Sequence, residues 1–126
     1  MTASANDTLL QCLLALCRYH GNASTAEALA GGLPLADGRL TPALFERAAS
    51  RVGLTSRIVY RRADEIERAL LPAVLLRENH GACLLMGWDE SGENAQVVYP
   101  DLNEAVVSVP ASEILDADTG TAIVCR

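Results

Sequence analysis

The sequence predicts an α+β domain in which N-terminal helices pack on an antiparallel β-sheet. Three observations carry that expectation. Up to Gly53 the apolar residues follow helical spacing and are framed by capping residues. After Gly53 the chain breaks into short β-rich runs. Turns of hairpin length join most of those runs, so neighbouring strands should be antiparallel.

Asn6 or Asp7 is placed to cap a first helix ending near His20, with Gly21 as its stop. Its apolar residues, Leu9, Leu10, Leu13, Leu14, Leu16 and Cys17, cover more than one stripe, which suits a central helix. Ser24 followed by Glu27 is a capping-box pattern opening a short helix over Thr25 to Ala30. Thr41-Pro42 is a cap followed by proline at the first helical position. That third helix runs to about Val52, with Leu44, Phe45, Ala48 and Val52 on one face.

Leu54 to Arg61 reads as a strand, and Ala63 to Leu70 as a short helical connection. Pro72 to Arg77 and Ala82 to Trp88 read as a hairpin around Glu78-Asn79-His80-Gly81, where Asn and Gly suit positive φ. Asp89 to Asn94 is a second turn, leading to strands over Ala95 to Tyr99 and Ala105 to Val109. Pro110 to Leu115 resembles one helical turn, and Thr121 to Cys125 a last strand.

The chain has 126 residues, which suits a single domain able to bury roughly two-thirds of its unfolded surface. Its apolar content of 50% and charged content of 21% are those of a globular protein and argue against disorder. Net charge is −6, and the longest basic run is Arg61-Arg62, so a nucleic-acid partner is not indicated. The apolar core Leu9 to Cys17 lacks the preceding positive charge of a signal peptide, and no apolar run is long enough to span a bilayer. These features predict a soluble, cytosolic and reduced domain.

The four cysteines, Cys12, Cys17, Cys83 and Cys125, lie in or beside apolar runs and read as buried thiols. No Cys/His spacing resembles a metal site, and no cofactor is implied. A cysteine nucleophile needs an imidazole within hydrogen-bond reach. Cys12 lies inside the first helix, His20 is about 12 Å further along the same axis, and His80 sits in a turn. The chain lacks G-x-S-x-G, and without lysine it cannot form a P-loop. The carboxylates Glu65/Glu67 and Asp89/Glu90 read as solvated.

Five segments in order resemble the C39 peptidase family: DTLLQCLLALCRYHG (7–21), 23–33, DGRLTPALFERAASRVGL (37–54), LPAVLLRENHGACLLMGWD (71–89) and VVYPDLNE (97–104). More closely, the chain resembles the catalytically degenerate C39-like domain of type I secretion ABC transporters, of the RTX adhesin exporter type. The resemblance covers about residues 7 to 125 and implies a papain-like fold.

In active members a Q-x-x-x-x-D-C-G motif opens the first helix. Counting back from Tyr19-His20-Gly21 puts the family's aspartate on Asp7 and its nucleophile on Thr8. The glycine of that motif falls on Leu9 and the oxyanion glutamine on about Thr2. The histidine position falls on Ala82, and a turn shift of one or two residues would bring His80 there instead. The third member falls on Asp101 in Pro100-Asp101-Leu102. The resemblance thus implies a pseudoenzyme with degenerate triad positions Thr8, Ala82 and Asp101.

The implied role is docking or positioning of unfolded RTX-type cargo. The domain would be the N-terminal cytosolic part of a larger transporter at the bacterial inner membrane, membrane-bound only through the rest of that protein. ATPase activity would reside in a domain absent here. Trp88, Tyr60 and Tyr99 are candidate cargo contacts, with Arg77 meeting acidic side chains. A charge of −6 opposes acidic cargo unless arginines cluster locally. Two other readings remain open. One is an active peptidase cutting after a double glycine with Cys12 and His80, and the other is a purely structural or regulatory domain.

Overall fold

The structure is a computed structural model and describes residues 8–21, 23–34, 40–77, 81–100 and 105–125. Helices α1 (Thr8–Tyr19), α2 (Ala26–Ala30) and α3 (Pro42–Ser50) come first. Strand β1 (Ser56–Val59) follows, then two 3₁₀ turns (Ala63–Glu65 and Arg68–Leu70). The rest is β2 (Ala73–Arg77), β3 (Gly81–Trp88), β4 (Asn94–Val98), β5 (Val106–Pro110), α4 (Ala111–Ala117) and β6 (Asp118–Cys125).

The six strands form one sheet in the order β1-β6-β2-β3-β4-β5, and every pairing is antiparallel. The predicted α+β class and helix-on-sheet packing are therefore observed. The last strand does not add at an edge. It inserts between β1 and β2, pairing Ser56 with Cys125 and Val74 with Ile123.

Alternation along the strands divides the interior in two. Val74, Ala82, Leu84, Val98 and Ile123 face α1 and α3, packing with Leu13, Leu16 and Phe45. Ala73, Leu75, Cys83, Leu85, Val97 and Ala122 face the other way, against Ile114 of α4 and Ala63 and Ile66 of the 3₁₀ segment. Both faces are covered, so β2 and β3 are apolar at nearly every position.

Local chemistry explains most boundaries. Thr41 caps α3 by accepting from the amide of Leu44, with Pro42 in the first turn. For α2 the cap is Thr25, whose hydroxyl accepts from Ala28 N at 3.1 Å, and not Ser24. Arg51, just past α3, donates from Nη1 to the carbonyl of Gly31 at 2.8 Å and of Leu29 at 3.2 Å. It thus satisfies carbonyls at the C-terminal end of α2.

The main departures from the expected boundaries lie around β1 and β6. The connection after β1 is two 3₁₀ turns and not one helix, and β1 is shorter than Leu54 to Arg61. Strand β6 starts at Asp118 and not at Thr121. The reason is the carboxylate of Asp118, which accepts from Ala63 N at 2.6 Å and Gly120 N at 2.8 Å. It joins the 3₁₀ segment to the start of β6 and is the one buried charged side chain among the described residues. The expected cap residues Asn6 and Asp7, and Glu78, Asn79 and His80 of the hairpin turn, lie outside the described residues.

Candidate functional site

Helix α1 begins against the start of β3. Thr8 is its first residue, and its Oγ1 accepts a hydrogen bond from the backbone amide of Ala82 at 2.8 Å. The approach is close because Gly81 has no side chain. A Cβ there would collide with the Thr8 hydroxyl, and Gly81 also sits at φ +69°. Two segments 74 residues apart in sequence are thereby joined at one point. The two residues in contact here are the ones on which the family resemblance puts the nucleophile and histidine positions.

The chemistry available at this point is limited. Thr8 presents a hydroxyl, and Ala82 presents a methyl group that is almost wholly buried. An alcohol is a weak nucleophile unless a base takes its proton. Cys12 lies four residues further along α1, about 6 Å deeper, and is fully buried. His20 is exposed past the end of α1, edge-on to the Tyr19 ring at a centroid distance of 5.3 Å. Asp101 and His80 lie outside the described residues.

Of the aromatic and cationic candidates, the structure brings only Arg77 and Tyr99 together. The Arg77 guanidinium stacks over the Tyr99 ring at 5.0 Å. The Tyr99 hydroxyl donates to Glu113 Oε2 of α4 at 2.8 Å. Burial and that acceptor push the Tyr99 phenol up to about 12. Trp88 is at the other end of β3, roughly 23 Å along the strand from Gly81. Tyr60 follows β1, separated from Arg77 on β2 by β6, and is 81% exposed. Arg77, Tyr99 and Trp88 share the α4 side of the sheet, whereas Thr8 meets the sheet on the α1 side.

The α1 side carries a groove that the sequence reading missed. It holds about 300 Å³ and runs between the last turns of α1 and the sheet. Leu16 and Tyr19 form one wall, Leu84, Met86 and Val98 the floor, and Val106 of β5 the far lip, with Arg18 and Pro72 also lining it. The Leu71–Pro72 peptide bond is cis. Tyr19 is 59% and Val106 56% exposed, so the groove opens onto an apolar surface. Its floor residues continue the β3 face that begins at Ala82. The only sequence signal was an apolar run at Leu84 to Met86 longer than one buried face requires.

No family model matches the chain, and no curated protein sequence does. Solved structures do. The N-terminal peptidase C39-like domain of the toxin secretion ATP-binding protein from Vibrio parahaemolyticus is 34% identical. That match covers 95% of this chain and 96% of that one, with a TM-score of 0.90. The peptidase domain of Streptococcus ComA, a bifunctional ABC transporter in a quorum-sensing pathway, matches at 15% identity and a TM-score of 0.79, covering 95% and 90%. A double glycine motif protease from an AMS/PCAT transporter, in complex with its leader peptide, matches at 17% identity and a TM-score of 0.75, covering 94% and 83%. The last two likenesses are of fold alone.

Proposed function

From the premise that the chain belongs to the peptidase C39-like domain family, we propose that it is a non-catalytic docking domain of a type I secretion ABC transporter. In this reading it is the N-terminal part of that transporter, on the cytoplasmic side of the bacterial inner membrane. It positions an unfolded RTX-type polypeptide for export.

The observation that carries the reading is the Thr8–Ala82 contact. In the family pattern these positions correspond to the nucleophile and its histidine. Here they hold an alcohol and a methyl group, and the Thr8 oxygen is occupied by an amide of β3. A triad acts as a unit, so loss of both members removes the mechanism. The apolar groove on the same side of the sheet supports a retained binding role. An unfolded polypeptide offers exposed apolar side chains, and burying them is the main source of affinity on such a surface. The AMS/PCAT relative, a protease seen with a leader peptide, supports polypeptide binding by this fold.

The test is a titration of the ¹⁵N-labelled domain with a calcium-free RTX repeat polypeptide, followed by intact-mass analysis. Saturable shifts at Tyr19, Leu84, Met86 and Val98 with uncut polypeptide are expected. Val106→Ser should weaken that binding about tenfold, equivalent to about 1.4 kcal/mol. Cleavage after a double glycine would restore the active-peptidase reading. No shifts at millimolar polypeptide would leave a structural or regulatory role.

A further inference from the structure

Strand β1 is one edge of the sheet, and among the described strands only β6 pairs with it. A groove of about 410 Å³ runs beside it on the α4 side of the sheet. Val59, Ile66 and Leu70 supply apolar lining, Arg57 and Arg61 bracket it, and Glu67 contributes one carboxylate. A second hollow of about 210 Å³ continues past Arg57 and Leu70. Both arginines are exposed, and neither forms an ion pair with a described residue. Tyr60, between Val59 and Arg61, is the most exposed of the large apolar and aromatic side chains among the described residues.

We propose that this edge is an acceptor for an extended acidic segment of the exported polypeptide, added to the sheet as a seventh strand beside β1. The inference rests on the docking reading above and assigns a second subsite to it. The backbone of β1 supplies hydrogen bonds along the side that no described strand pairs, as in strand addition generally. Arg57 and Arg61 supply the charge selection. Arg57 lies within β1 and Arg61 two residues past its end, and both line the same groove with Val59 between them. The matching segment therefore carries two carboxylates four residues apart with an apolar residue midway, since side chains two apart share a face. This local cation pair resolves the conflict between acidic cargo and a domain of net charge −6. A second copy of the chain is the wrong occupant. Pairing two β1 edges would bring the arginines of both copies together.

The experiment titrates the labelled 126-residue chain with a seven-residue peptide bearing aspartates four apart around a valine, and with its asparagine counterpart. The aspartate peptide should shift the amides of Ser56 to Val59 saturably, and the counterpart should not. The R57Q/R61Q double variant should bind it at least about fivefold more weakly with an unchanged melting temperature, and added salt should weaken the parent in the same sense. An excess of the aspartate peptide should displace the calcium-free RTX polypeptide from β1 but leave its shifts at Leu84 and Met86. Silence at β1, or equal binding of the asparagine counterpart, would overturn the proposal. The arginines would then serve only to guard the edge against unwanted pairing. RTX shifts at Leu84 and Met86 with a silent β1 would overturn this subsite while sustaining the docking reading. A responsive β1 with an RTX polypeptide that binds nowhere would overturn the docking reading and with it the identity of the occupant.

Discussion

At Thr8 a single hydroxyl joins the start of α1 to the start of β3, and the joint works only because residue 81 is glycine. The turn at Asp89 has the same economy. One Oδ1 accepts from the Ser91 hydroxyl at 2.9 Å and from Glu93 N at 3.1 Å, while Oδ2 accepts from Asn94 Nδ2 at 2.8 Å. The expectation of a merely solvated carboxylate therefore misses its role as organiser of the β3–β4 turn. These donors, the Asn94 amide foremost, hold the Asp89 carboxyl down at about 2. Because the folded value is below the unfolded one, its stabilisation is present above about pH 4 and lost as pH falls through about 2. Asp89→Ala should therefore lower stability at pH 7. Urea unfolding at stepped pH should show the gap to the parent closing between pH 4 and pH 2. A gap that stays constant would refute the linkage.

Among the elements, the short pieces hold the arrangement together. Asp118 ties the 3₁₀ segment to β6, and Arg51 ties α3 to the end of α2. Removing the Asp118 carboxylate strands the amide of Ala63 in a buried site. Asp118→Ala should cost about 1–3 kcal/mol, seen as a lower urea midpoint, with Asp118→Asn costing less because an acceptor is kept. Equal losses in the two variants would mean that the hydrogen bond is not the source. Neither partner of this bond was legible as such in the sequence. Nothing in the sequence singles out Asp118, and its separation of 55 positions from Ala63 hides the contact.

Across the whole molecule, one sheet is covered on both sides, and the thiols follow from that. All four cysteines are buried, as their apolar sequence context predicts. Burial pushes the Cys125 thiol up to about 12, with Cys17 adding to the effect, and raises Cys17 despite the neighbouring Arg18. A thiol reagent at pH 8 should therefore modify the folded domain slowly and reach all four sulfurs only on unfolding. Rapid modification of Cys12 would expose an accessible nucleophile and reopen the peptidase reading.

Periodicity, caps and turn residues by themselves determined the order of elements, the helix-then-sheet division and the buried thiols, because those signals act within a few residues. A count along the family pattern singles out Thr8 and Ala82 one at a time, but their contact is a tertiary fact. Tertiary structure alone decided that the last strand enters the middle of the sheet. It also decided that Arg77 spends its charge on Tyr99, and that a groove opens beside Leu84 and Met86. Each of these depends on which apolar face meets which, and a strand apolar on both sides carries no sign of the side left uncovered.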